Sequence, residues 1–222
     1  ESEVRMNLLE LPFFSGFTVQ ELRQLRDLGC MRLDRFQQGT VILQAGSRTH
    51  EMGIVVSGRV HIESNDLWGI RSILSNVETG GVFAETYAIC GESLMVDAVA
   101  AADCEILFLS LLPLLDPKNS RESWHARLMQ RMLRLSTQKN LTLSTRIFCT
   151  SAKNVRGRLL TYLSGEAARQ GKTEFDIPFN RQQLADYLNL DRSALSKELS
   201  RMRDEGMLEY RRNHFKLNKN ET

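Results

Sequence analysis

Cations and hydroxyls collect on one side of the stretch Asn180–Arg203, NRQQLADYLNLDRSALSKELSRMR, while its apolar residues recur at helical spacing. Leu184, Ala185 and Leu188 form one face of a first short helix, and Asn189 suits the turn that ends it. Leu190 then pins the two helices together. Asp191 is a good N-cap for a second helix, because its carboxylate accepts from the free N–H groups of the next turn. Leu195, Leu199 and Met202 follow as that helix's core stripe, leaving Arg192, Ser193, Ser196, Lys197 and Ser200 opposite. These side chains can bond phosphate oxygens and base edges, so the chemistry implied is hydrogen bonding in the major groove of DNA. Two helices, a tight turn and this face resemble a helix-turn-helix.

A basic, polar helix face is also what any solvated helix shows, and the continuation decides between the two readings. Gly206–Leu217 alternates apolar and polar residues on either side of Arg211–His214, as a small β-hairpin does. A winged helix-turn-helix follows. The charge agrees: from Cys149 onward 14 Lys and Arg stand against 10 Asp and Glu, a surplus of +4, whereas the rest of the chain carries −2. That asymmetry fits a C-terminal part that meets a polyanion.

Other chemistries find little support. No Ser/His/Asp set, HExxH, P-loop or Rossmann glycine pattern is present, and Glu85 with Glu92 is an ordinary carboxylate pair, so the chain does not read as an enzyme. The four cysteines, Cys30, Cys90, Cys104 and Cys149, form no CxxC pair and read as free thiols, mostly buried. At 222 residues with 42% hydrophobic and 25% charged residues the composition is that of a globular chain with room for two cores. No apolar run approaches the ~20 residues of a membrane span, and nothing resembles a signal peptide. A cytoplasmic protein without a membrane partner is expected. The chain begins at Glu1, so a few upstream residues are expected to be missing.

The elements that must position the basic helix lie upstream. Thr18 is an N-cap with Glu21 in the capping-box position, opening a helix to Leu28 with Leu22, Leu25 and Leu28 on one face. From Met31 to Leu109, MRLDRF, TVILQ, MGIVVSGRVHIE, GIRSILSN and DAVAAADCEILFL are strand-like runs punctuated by Gly39, Gly46, Gly53, Gly58, Gly69, Gly80 and Gly81. They suggest a β-barrel or roll. Ser120–Phe148 holds no Pro or Gly and reads as one long helix with Trp124, Leu128, Met132, Leu135 and Leu143 near one stripe. A helix this long is expected to pair with the same helix of a second subunit, packing on its own roll being the alternative; Lys139 and Thr142 make the seam imperfect. A further helix at about Lys153–Gln170, carrying Val155, Leu159, Leu160, Tyr162 and Leu163, ends near Gly171.

A glycine-punctuated roll, a long helix and a winged helix-turn-helix, in that order, resemble the Crp/Fnr family of bacterial transcription regulators over essentially the whole chain. The carriers are GTVILQAG followed by MGIVVSGRVHI, the FAET segment Phe83–Thr86, and FNRQQLADYLNLDRSALSKELSRM. The resemblance implies an α+β chain with an N-terminal double-stranded β-helix, a jelly-roll-like β-roll for effector sensing (residues 1–116). A long dimerisation helix (117–148) and a winged helix-turn-helix for DNA (149–222) would follow. It also implies a homodimer on a two-fold symmetric site in double-stranded DNA, with RNA polymerase as a further partner. The DNA-facing set would be Arg181, Gln182, Asp191, Arg192, Ser193, Ser196, Lys197 and Arg201, with Arg211 and Arg212 of the hairpin. Many members have Glu where Ser193 stands, accepting from a cytosine amino group, and a serine there is shorter and less selective.

The resemblance places the effector pocket at Phe83, Glu85, Tyr87, Leu94 and Met95. A cyclic-nucleotide reader of this family carries FGE and, later, an Arg-Ser pair that holds the phosphate; here Leu94 and Met95 stand where that pair would be. A desolvated anion needs a cation or several donors, so tight binding of cAMP is not expected. An iron-sulfur version needs an N-terminal cysteine cluster that Ser2–Gly29 lacks, and a haem version would have only His50, His61, Cys90 and His125 as ligands by type. The expected effector is an unidentified small molecule or a redox signal. The competing reading is a small-molecule-binding module whose winged helix mediates protein contacts.

Overall fold

The computed structural model describes residues 8–65 and 71–218, divided between two compact units, residues 1–136 and 137–222. Gly69 and Ile70 of the expected strand GIRSILSN lie outside the described residues.

In the N-terminal unit the helix α1 (Val19–Asp27) opens as its sequence indicates. The Thr18 hydroxyl accepts from the Glu21 N–H while the Glu21 carboxylate accepts from the Thr18 N–H, a complete capping box. Leu25 is buried, but Leu28 is exposed. Eight strands follow: β1 (Met31–Phe36), β2 (Val41–Leu43), β3 (Glu51–Ser57), β4 (Arg59–Asn65), β5 (Arg71–Glu78), β6 (Val82–Phe83), β7 (Asp97–Ala100) and β8 (Cys104–Ser110). A short helix α2 (Glu85–Cys90) separates β6 from β7. The strands form two four-stranded sheets, in the orders β1-β8-β3-β6 and β2-β7-β4-β5, with every pairing antiparallel.

The apolar run ILFL in β8 is explained by this arrangement. Ile106 and Phe108 belong to a cluster shared with Val60, Ala98 and Ala100 of the other sheet, while Leu107 and Leu109 join a second cluster with Phe13, Phe14, Phe17, Leu25 and Trp124. Successive side chains of a strand point to opposite faces, so a strand covered on both faces loses its polar alternation. Gly58 turns β3 into β4 at φ +82°, and a Cβ there would lie 2.3 Å from the Asp103 carbonyl oxygen, so no other residue fits.

After the short helix α3 (Leu112–Leu115), the long helix α4 runs from Ser123 to Thr150. Its stripe requires a correction. Trp124, Leu128 and Met132 are buried in the N-terminal unit's own core, with Leu135 packed against it, so they are not a free seam for a second subunit. Met129, Leu133 (64% exposed), Leu143 (59%) and Ile147 (68%) are exposed on the adjacent face, and Leu141 and Phe148 are exposed to one side of it. Both faces carry apolar residues four apart, Trp124, Leu128 and Met132 on one and Met129 with Leu133 and Leu143 with Ile147 on the other, which is why spacing alone could not tell them apart. Lys139 and Thr142, which made the first seam look imperfect, fall off this second stripe. Arg127 Nε donates to the buried Glu21 carboxylate at 3.1 Å, tying α4 to α1.

In the C-terminal unit α5 (Val155–Gln170) is capped by Asn154, whose side chain accepts from the Gly157 N–H, and it ends at Gly171 in the left-handed region. Strand β9 (Glu174–Asp176) leads to α6 (Arg181–Tyr187) and α7 (Arg192–Asp204), and β10 (Leu208–Arg211) with β11 (His214–Leu217) completes a three-stranded sheet of order β10-β11-β9. Asn189 turns between α6 and α7 at φ +53°. Leu159, Leu163, Leu184, Leu188, Leu195, Leu199, Met202, Leu208 and Phe215 form one core. Burying each such side chain contributes about 1.5 to 3 kcal/mol.

Candidate nucleic-acid interface

The helix α7 divides its polar residues by what they bond. Leu195, Leu199 and Met202 are wholly buried, and the acid beside them, Glu198, accepts from Arg156 of α5 at 2.6 Å. Arg156 also meets both carboxylate oxygens of Glu205 at 2.8 Å, and these bonds raise its own pKa. Arg201 reaches Glu198 at 3.8 Å, and Arg203 pairs with Asp204 at 3.1 Å. Arg192 and Lys197, on the exposed side, have no acidic partner among the described residues, and neither do Arg211 and Arg212 at the hairpin turn. Ser196 is half-buried beside them. Cations whose charge is not neutralised locally remain available to phosphate oxygens.

The same unit holds α7 at a fixed angle. Arg146 of α4 donates to the carbonyls of Asp186 and Tyr187, and Arg158 donates to those of Leu188 and Asn189, so the last turn of α6 and the tight turn are tied at their free carbonyls. The Ser200 hydroxyl lies 3.3 Å from the Tyr210 hydroxyl, linking α7 to the hairpin. At the start of α7, one oxygen of Asp191 accepts from the N–H groups of Ser193 and Ala194 at 2.8 and 3.0 Å and also from the Ser193 hydroxyl. Those bonds hold the Asp191 carboxyl below its ordinary pKa, the hydroxyl contributing most.

Two residues of the expected DNA-facing set are partly committed elsewhere. Arg181 is half-buried, with its guanidinium donating to the Arg212 carbonyl at 3.3 Å and lying 5.0 Å from the Tyr210 ring centroid. It joins α6 to the hairpin, and burial lowers its pKa. Gln182 is exposed and donates to Asp186 at 2.8 Å. Sequence reasoning missed Arg146, Arg156 and Arg158. In the sequence they are three of the four arginines between Arg146 and Asn180, at positions where a solvated face would serve as well.

The expected effector residues divide between the interior and the surface of the roll. Phe83 is buried and its ring covers Gly53 so closely that a Cβ there would be 2.2 Å from Cζ. Glu85 and Leu94 are buried, Tyr87 is half-buried, and Met95 is 80% exposed. Leu94 is fixed by backbone bonds to Ser47 and Gly46, and Arg48 meets Ser93 at the surface. Ala84 adopts φ +61°, a left-handed conformation that disfavours any residue with a Cβ, at the position where the FGE motif has glycine. A separate apolar groove of about 210 Å³ opens between α1 and β1, lined by Val19, Leu22, Met31 and Leu33 with Arg23 and Arg26 at its rim.

Among the described residues no group of three or more His, Cys, Asp or Glu side chains could hold a metal ion. The His125 ring nitrogen lies 2.9 Å from the Leu114 carbonyl, and His61 lies 3.4 Å from Glu63. Burial pushes the Cys30 thiol up to about 11 and raises Cys104 and Cys149 as well, while Cys90 is exposed. Buried thiols of raised pKa are poor nucleophiles. No helix among the described residues is long and apolar enough to cross a membrane.

Two family models match the chain: a cyclic nucleotide-binding domain over residues 33–116 and a Crp-like helix-turn-helix domain over residues 157–221, together about two thirds of its length. The chain belongs to the Crp/Fnr family of transcription regulators. Electron transport regulator A of Shewanella oneidensis is 25% identical over 215 residues, 92% of this chain and 80% of that protein. The solved structure of CprK complexed with OCPA aligns at a TM-score of 0.63 with 15% identity, over 87% of this chain and 88% of that one. The c-di-GMP responsive global regulator CLP of Xanthomonas campestris aligns at 0.52 with 17% identity, over 91% and 100%. At these identities the structural likenesses establish the fold of this Crp/Fnr regulator.

Proposed function

We propose that the chain acts as a homodimeric, sequence-specific DNA-binding transcription regulator. Its three parts would be a sensing roll (residues 1–116), a dimerisation helix (117–148) and a DNA-binding winged helix (149–222). The observation that carries the reading is the asymmetry of α7, whose inward acid is neutralised by Arg156 while Arg192 and Lys197 stand exposed without an acidic partner among the described residues. Two such helices, brought together by the Met129, Leu133, Leu143 and Ile147 face of α4, would engage half-sites with centres ~34 Å apart. Arg192 reads a base, Lys197, Arg211 and Arg212 meet phosphates, and Arg181 both positions the hairpin and adds to phosphate binding. Contact with RNA polymerase would follow from binding beside a promoter.

A binding array over single-base variants of the preferred site tests these roles. Arg192→Ala is expected to cost about 1 to 3 kcal/mol at one base position and relax specificity there, whereas Arg181→Ala weakens all sequences alike and flattens the salt dependence. Identical profiles for the two variants would reject the assignment.

The effector belongs to a class other than cyclic nucleotides. Leu94 offers no charge to a phosphate, and Arg48 bonds Ser93 at the surface, so neither of these two side chains supplies a buried cation for a phosphate. Calorimetry of the full chain with cAMP is expected to show no binding in the low-micromolar range. Such binding would overturn this part of the proposal.

A further inference from the structure

Ser193 stands exposed at the first turn of α7, just after the N-cap Asp191 and between the exposed cations Arg192 and Lys197. A serine hydroxyl has one proton and two lone pairs, so in isolation it can donate to or accept from any base edge. Here the proton is already placed. The hydroxyl donates to Asp191 Oδ1, and that oxygen is held in position by the N–H groups of Ser193 and Ala194 as the cap of the helix. Asp191 is ionised, and a hydrogen bond to an ionised carboxylate is markedly stronger than one between neutral groups. What Ser193 presents outward is lone pairs alone. Its exposed neighbours Arg192 and Lys197 carry donors and no acceptors, so Ser193 adds the opposite polarity to the face.

We propose, resting on the DNA-binding reading above, that Asp191 locks Ser193 as a hydrogen-bond acceptor, and that Ser193 therefore selects an amino-bearing base, adenine or cytosine, at one fixed position on one strand of each half-site. In the major groove only adenine N6 and cytosine N4 donate, whereas guanine O6 and N7 and thymine O4 accept. Ser193 thus serves the same polarity as a glutamate with a shorter reach, and accepts both amino-bearing bases because it makes a single bond. This differs from the weakly selective serine expected from its size alone.

The test uses the full chain and duplexes carrying each of the four base pairs at every half-site position. The unmodified protein should prefer A or C over G or T on one strand by about three- to tenfold at the Ser193 position, the range of one net hydrogen bond. Ser193→Ala should flatten that preference. Asp191→Asn keeps a good N-cap, which circular dichroism of the folded chain would verify, but its amide can donate to the serine oxygen and release the serine proton. The preference should then fall below twofold or turn toward G or T. Failure of the unmodified chain to distinguish any bases sinks the DNA-binding reading and this proposal together. Base-specific binding that Ser193→Ala leaves unaltered, or a preference that Asp191→Asn retains in full, contradicts this proposal alone.

Discussion

The winged helix and the roll each bury an apolar core, yet they treat charge in opposite ways. In the C-terminal unit Arg156 consumes the acids Glu198 and Glu205 behind α7, and exposed cations remain in front. In the roll, Leu94 and Phe83 are buried apolar side chains, and Phe83 closes over Gly53. The two units differ in where their arginines go: behind α7 Arg156 neutralises two acids, whereas the Leu94 segment of the roll turns an apolar side chain inward.

The largest effect should come from the core that supports the exposed cations. Leu199→Ala removes a wholly buried side chain of α7 and should cost about 2 to 5 kcal/mol, seen as a lowered denaturation midpoint of the C-terminal unit. A loss below 1 kcal/mol would mean that α7 does not depend on this core. In the roll, Ala84→Gly should act in the other direction. It relieves a left-handed alanine at about 1 kcal/mol, partly offset by the added freedom of glycine in the unfolded chain. A small gain in melting temperature is expected, and a loss would show that the Ala84 methyl is needed for packing.

The smallest effect concerns the winged sheet. The His214 ring nitrogens lie 3.0 Å from Glu174 and 3.1 Å from Asp176, and these two carboxylates raise its pKa. A raised folded-state pKa gives stability that is fully present below about pH 6.5 and is lost as pH rises through the folded value. The stability difference between the native chain and His214→Gln should therefore be larger at low than at high pH. An equal difference at both would remove the coupling.

Much of this arrangement was legible in the residues. Thr18 with Glu21, Asp191, Asn189 and the Leu195–Leu199–Met202 spacing are local devices, and local hydrogen-bond geometry needs no knowledge of the rest of the fold. The stripe on α4 was not legible, because two neighbouring faces both carry apolar residues at helical spacing and only tertiary packing decides which is covered. The roles of Arg156 and Arg158 were hidden for the same reason, since the acids and turn carbonyls they bind lie 30 to 49 residues away. Met95 shows a further limit. Position beside Leu94 gave no sign that one side chain is buried and the other 80% exposed.

Selection of bound duplexes from random sequence by the full chain, with and without cell extract to supply the effector, tests the central claim most directly. The account predicts enrichment of a two-fold symmetric site with half-site centres ~34 Å apart. Failure to enrich any symmetric sequence under either condition would contradict it and favour a winged helix that contacts protein.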